Sequence, residues 1–217
     1  MKYKSLFLLL LITVSLHAQE EIRISHYLFP DFQPGVVLMK NGTRNNAKLN
    51  YNTASEEMVF DENGVLLAIS DVLLPQIDTV FISNEKFIRV NNKFMKIIID
   101  EPKISLFVEH KCRIIPPGKP AGYGGTSQLS STTSFSSILS GGRVYDLELP
   151  KDFKVEPYSV FWVNRNGKLQ SFSNIRQLKR IYRDKKKIID NYLKENDVKI
   201  TDEKSVRDTI VFMENNG

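Results

Sequence analysis

"GVVLMKNGTRNNAKLNYN", residues 35–52, decides the fold. An apolar run from Val36 to Met39 leads into Asn41-Gly42, and beyond it Ala47, Leu49 and Tyr51 alternate with polar residues. Alternation with a period of two places successive side chains on opposite faces of a strand. Asn-Gly suits the link because tight hairpin turns need positive φ at their central residues, which Asn and Gly tolerate best. The stretch therefore predicts a β-hairpin. "MVFDENGVLLAIS", residues 58–70, repeats the design around Asn63-Gly64, and "SVFWVNRNGKLQSF", residues 159–172, repeats it around Asn166-Gly167. Three hairpins are predicted.

Working outward, DTVFIS, KFIRVN, KFMKIIID and KISLFVEHKCRII supply further strands. In the last of these Ile104, Leu106 and Val108 share one face, and Ser105, Phe107 and Glu109 the other; an outward Phe107 implies partial cover on both faces. Many short strands with few helical patterns predict a mainly β fold, an antiparallel β-sandwich or a partly open barrel. VYDLELP, residues 144–150, alternates again, so the sheet is expected to continue to Phe172.

From Asn174 the period becomes helical. Ser173 or Asn174 can cap a helix whose stripe is Ile175, Leu178, Ile181 and Tyr182. Asp184 can restart a second helix with Ile188, Ile189, Tyr192 and Leu193 inward. Thr201, followed by Asp202 and Glu203, predicts the start of a third, burying Val206, Ile210 and Val211. A C-terminal appendage of two or three short helices is expected over residues 173–217, either docked on the sheet or tethered to it.

The opening residues place Lys2 and Lys4 before an apolar run ending near Leu16, then Ala18-Gln19. This is the layout of a secretory signal peptide over residues 1–18; an uncleaved anchor is the competing explanation. The chain is therefore expected to be exported, periplasmic or associated with the outer membrane. Without the leader, 28 basic residues face 25 acidic ones, so the chain is nearly neutral and offers little to nucleic acid. Cys112, the single cysteine, can form no internal disulfide and is expected to be a buried thiol.

"PPGKPAGYGGTSQLSSTTSFSSILSGG", residues 116–142, interrupts the strands. It fails as a phosphate loop because Gly118-Lys119 is followed by Pro120. Ten of the fifteen residues from Thr126 to Ser140 are Ser or Thr, a composition that a loop explains. Yet Tyr123, Leu129, Phe135 and Ile138 punctuate it, and such anchors can fill pockets on a partner while the backbone adds to a sheet edge. A second candidate surface is IRQLKRIYRDKKK, where Arg176, Lys179, Arg180 and Arg183 lie opposite the apolar stripe and Lys185 to Lys187 follow. A basic amphipathic helix can meet an anionic membrane or an acidic protein, and a solvated helix face explains the same residues.

Catalytic patterns are weak. His26 and His110 have no partner at ligand spacing, no G-x-S-x-G elbow occurs, and the carboxylates Asp71, Asp78, Glu85, Asp100 and Glu101 border apolar runs as turn residues do. In VFWVN, Phe161 and Val163 share one face and Val160 and Trp162 the other, so at least one aromatic belongs to the core. No catalytic residue, cofactor or metal site is expected.

AKLNYNTASEEMVF, AGYGGTSQLSSTTSFSS and FSNIRQLKRIYRDKKKIIDNYLKENDVKI, with the leader ending in Ala18-Gln19, resemble uncharacterised small secreted proteins of Bacteroidetes-type bacteria. The resemblance implies an envelope location in a Gram-negative cell and carries no catalytic residues with it. The residues point to a non-enzymatic envelope protein, an accessory subunit or protein-binding module, with a β-domain over 19–172. A domain that binds small ligands or glycans, and could hydrolyse the latter, is the alternative; a concave pocket lined by Trp162 and paired acids would favour it.

Overall fold

A computed structural model gives the arrangement of the chain. It describes residues 26–115, 119–120, 126–127 and 153–216. The leader, the strand expected at 144–150 and the anchors Tyr123, Leu129, Phe135 and Ile138 lie outside the described residues.

The strands are β1 (Gln33–Met39), β2 (Arg44–Asn52), β3 (Glu57–Glu62), β4 (Val65–Ala68), β5 (Ile77–Ile82), β6 (Glu85–Val90), β7 (Lys93–Asp100), β8 (Ile104–Ile115), β11 (Lys154–Arg165) and β12 (Lys168–Phe172). They form one ten-stranded sheet in the order β12-β11-β8-β7-β6-β5-β1-β2-β3-β4. A separate ribbon pairs β9 (Lys119–Pro120) with β10 (Thr126–Ser127). All pairings in the large sheet are antiparallel. The fold is thus mainly β, as one rolled, open sheet rather than two packed sheets. Because β8 pairs directly with β11, the Ser-rich stretch joins neighbouring strands of one sheet.

The hairpin turns follow from left-handed backbone. Asn63-Gly64 and Asn166-Gly167 have φ of 56° and 88°, and 53° and 77°. At Asn41-Gly42 only the glycine is positive, and the Asn41 side chain instead accepts from Thr43 N at 3.0 Å. A further tight turn, Asn91-Asn92 with φ of 51° and 64°, joins β6 to β7 without any glycine.

The register puts the core on one concave face. Ile104, Leu106 and Val108 of β8 share it with Phe161 and Val163 of β11. On the other half of the sheet, Leu49, Tyr51, Met58, Val80, Ile82 and Phe87 occupy the same face. Two devices cover it. Four antiparallel steps separate β4 from β5, so the two run parallel, and the link 69–76 must return along the full strand length past β3, β2 and β1. Ile69 and Leu74 of that crossover pack on the core. The sheet rolls tightly there: a Cβ on Gly35 would lie 2.5 Å from Phe81 O and 2.7 Å from Leu49 Cδ1. The roll brings the β2–β3 turn onto β8, where Cys112 N donates to Thr53 O at 3.1 Å.

The other half is covered by α1 (Ile175–Ile181), α2 (Lys186–Glu195) and α3 (Glu203–Asn215). Asn174 caps α1, its Oδ1 accepting from Gln177 N at 3.0 Å. Leu178, Tyr182, Ile189, Val206, Ile210 and Met213 are fully buried against the sheet. Two starts differ from the sequence reading. Asp202, not Thr201, caps α3, with its carboxylate accepting from Lys204 N at 3.0 Å. Asp184 lies in a 3-10 turn, Arg183–Lys185, where Arg165 at the end of β11 pairs with both oxygens of its carboxylate, at 3.1 and 2.9 Å. The helices are therefore docked on the sheet. Among the described residues, no helix is long and apolar enough to cross a membrane.

Candidate functional site

A cleft of about 620 Å³ lies on the concave face between β1–β4 and the crossover. That volume suits a small ligand or a few side chains of a larger one. Val37, Leu49, Phe60, Leu67, Ile69 and Leu73 make its walls, and Asp61 and Glu62 are the only charged residues lining it. Apolar side chains continue outside: Val65 is 58% and Val72 77% exposed. Exposed apolar residues that border an apolar cleft mark an interaction surface.

The cleft adjoins a sheet edge. Among the described residues β4 pairs only with β3, through Glu62↔Val65, Asp61↔Leu66, Phe60↔Leu67 and Val59↔Ala68. Ile69 N donates to Met58 O at 3.0 Å, which fixes the alternation. Val65 and Leu67 therefore turn their backbone groups inward to β3, and Leu66 and Ala68 turn theirs outward. Such an edge is a template for another strand.

The opposite, convex face carries a polar cluster. Glu109, with its side chain 3% exposed, accepts from Lys93 Nζ at 2.7 Å and Lys111 Nζ at 3.2 Å, and from Trp162 Nε1 at 3.0 Å. Glu56, from the β2–β3 turn, meets Lys93 at 2.8 Å and also pairs with Lys111. Burial alone would raise the Glu109 carboxyl, but the bonds from Lys93 and Trp162 and the two ammonium charges hold it below the usual range. A glycosidase acid needs the reverse, a raised carboxyl. These paired acids serve instead to fasten the β2–β3 turn to β7 and β8. Trp162 and Tyr158 both lie outside the cleft, Tyr158 beneath the Arg113 guanidinium at 5.4 Å. Phe161 is core, as its alternation allowed.

A third group sits between the two cores. Lys96 bridges Glu85 at 3.1 Å and Glu203 of α3 at 2.7 Å. His110 Nε2 lies 3.4 Å from Glu203 Oε1 without a hydrogen bond. Burial, aided by the Lys96 charge, pushes its pKa down to about 4, so it is neutral at pH 7 and this contact is no ion pair. Cys112 is half-buried, and burial pushes its thiol up, against a smaller opposing bond to Thr53. Among the described residues, no three His, Cys, Asp or Glu side chains are grouped to hold a metal ion.

Of the residues singled out from sequence, Arg176, Lys179, Arg180 and Arg183 all lie exposed on α1 and the turn after it. Sequence reasoning missed the cleft and the Glu109 cluster. The first had a signal: VLLA in β4 lacks the alternating polar residues expected of a solvated edge strand. The second had none, because Glu56, Lys93, Glu109 and Trp162 come together only when the sheet rolls. Compared with known proteins, the chain matches no family model, no curated protein and no solved structure.

Proposed function

We propose that this protein is a non-catalytic, exported binding module that holds an extended segment of an envelope partner along β4, with alternate side chains of the segment in the adjoining cleft. The observation that carries the reading is the coincidence of a strand edge left unpaired among the described residues with an apolar cleft on the same strand. A strand added at Leu66 and Ala68 gains main-chain hydrogen bonds, while pockets for alternate residues give selectivity. Asp61 and Glu62 define the occupant further: an apolar segment flanked by Lys or Arg fits the lining charge, whereas a fatty acid carboxylate is repelled.

The test is selection of displayed short peptides on the purified protein, repeated with Leu66→Pro. Proline removes one outward N–H, is tolerated on an edge strand, and leaves the Leu67 wall intact. Selected peptides should alternate apolar residues, carry a basic flank, and lose about tenfold in affinity on Leu66→Pro, equivalent to one main-chain hydrogen bond. Peptides that bind the variant equally, or a long-chain acyl dye that fills the cleft where peptides do not, would overturn the reading.

A further inference from the structure

The helical layer carries a charge asymmetry that the cleft does not explain. Arg176, Lys179, Arg180, Arg183, Lys186 and Lys187 are all exposed, on the side of α1 and α2 away from buried Leu178, Tyr182 and Ile189. The two acids interspersed with them are already engaged. Arg165 takes Asp184 from the β11 side, and Lys179 takes Asp190 at 2.6 Å. Among the described residues, Arg176, Arg180, Arg183, Lys186 and Lys187 form no ion pair. Outside the leader, 28 basic residues face 25 acidic ones. Five unpaired cations on one short face are therefore a local concentration of charge, not a share of a general excess.

We infer that this face docks on an anionic phospholipid surface, its cations resting among the lipid phosphates. Two features favour a membrane over an acidic protein. The cations sit on long, exposed side chains of two successive helices and the turn between them. Ile181 and Ile188, which lie between the cations in the chain, are partly buried against the protein core and so are not free to serve as the anchor that centres a protein interface. A layer of mobile headgroups needs no such anchor. Each Lys or Arg near an anionic bilayer contributes about 1 kcal/mol, so five give reversible, salt-sensitive adsorption without insertion. The geometry also leaves the cleft usable: the helices cover the β7–β12 half of the sheet, and β4 forms the opposite edge.

The test is co-sedimentation of the mature protein with vesicles of phosphatidylcholine alone and of phosphatidylcholine mixed with phosphatidylglycerol, at low and at physiological salt. Binding is expected only to the mixed vesicles and should weaken as salt rises. Arg176→Glu combined with Arg180→Glu should lower it by about tenfold or more, and Lys186→Gln with Lys187→Gln by a smaller factor. Circular dichroism checks that each variant keeps its fold, and the Gln pair keeps the experiment informative if the Glu pair does not fold. Equal binding to both vesicle types would overturn the inference. So would unchanged binding by the variants. The peptide selection on β4 uses no lipid, so either proposal can fail without the other.

Discussion

His110 shows how one residue reports the seam between sheet and helices. Its ring lies against Glu203 of α3 and feels the charge of Lys96 on the neighbouring strand β7. An imidazole held neutral by burial and by Lys96 binds its proton less readily folded than unfolded. Between about pH 6.5 and about pH 4 the unfolded chain therefore carries the extra proton, and stability falls as pH falls through that window. Protonation would bring His110 charge to Glu203, but Lys96 already occupies that carboxylate at 2.7 Å. The loss should approach about 3 kcal/mol by pH 4, at 1.36 kcal/mol for each pKa unit. Urea unfolding at stepped pH checks this against His110→Gln, which should remove most of the slope over that window. An unchanged slope in the variant assigns the acid sensitivity to the carboxylates.

Hairpins show what was legible at the scale of elements. Asn-Gly pairs announced the turns at 63–64 and 166–167 because two consecutive left-handed residues are needed there and the sequence names them. Asn91-Asn92 makes the same turn with no glycine to announce it, since Asn also tolerates positive φ. Most strands of the large sheet were legible, because each buries one face against a core and so keeps its alternation; β4, as VLLA, does not alternate, and β9 and β10 fall in the stretch read as an interruption. Asn92→Val places a β-branched residue at φ of 64° and should cost about 1–2 kcal/mol. Asn92→Gly should cost far less, since glycine adopts this backbone freely. Thermal denaturation of the two variants separates turn strain from loss of the weak Asn92 contact to Arg89, which both remove.

At the scale of the molecule, the tertiary roll was what the sequence could not show. Local pattern fixes which side of each strand is apolar, not how far a sheet twists before its ends meet. The cleft, the Glu109 cluster and the docking of α1–α3 all depend on that twist. One consequence concerns the seam between sheet and helices at Phe172. Leu106, Val108, Phe161, Val163 and Phe172 on the sheet are covered by Leu178, Tyr182, Ile189, Val206 and Ile210 on the helices, so this half of the sheet shares its core with the helices, while the other half keeps its own beneath the crossover. Arg165 fastens the layers, reaching Asp184 at 2.9 Å and Glu214 at 3.0 Å with its guanidinium over the Tyr182 ring. Uncovering five large apolar side chains forfeits about 2 kcal/mol each, or about 10 kcal/mol in all. That equals the whole stability of a typical domain. A fragment of residues 19–172 should therefore collapse into aggregates, while the full mature chain melts in one transition. Size-exclusion chromatography and calorimetry check both, and a monomeric fragment with its own cooperative melt would show that the sheet is an independent domain after all.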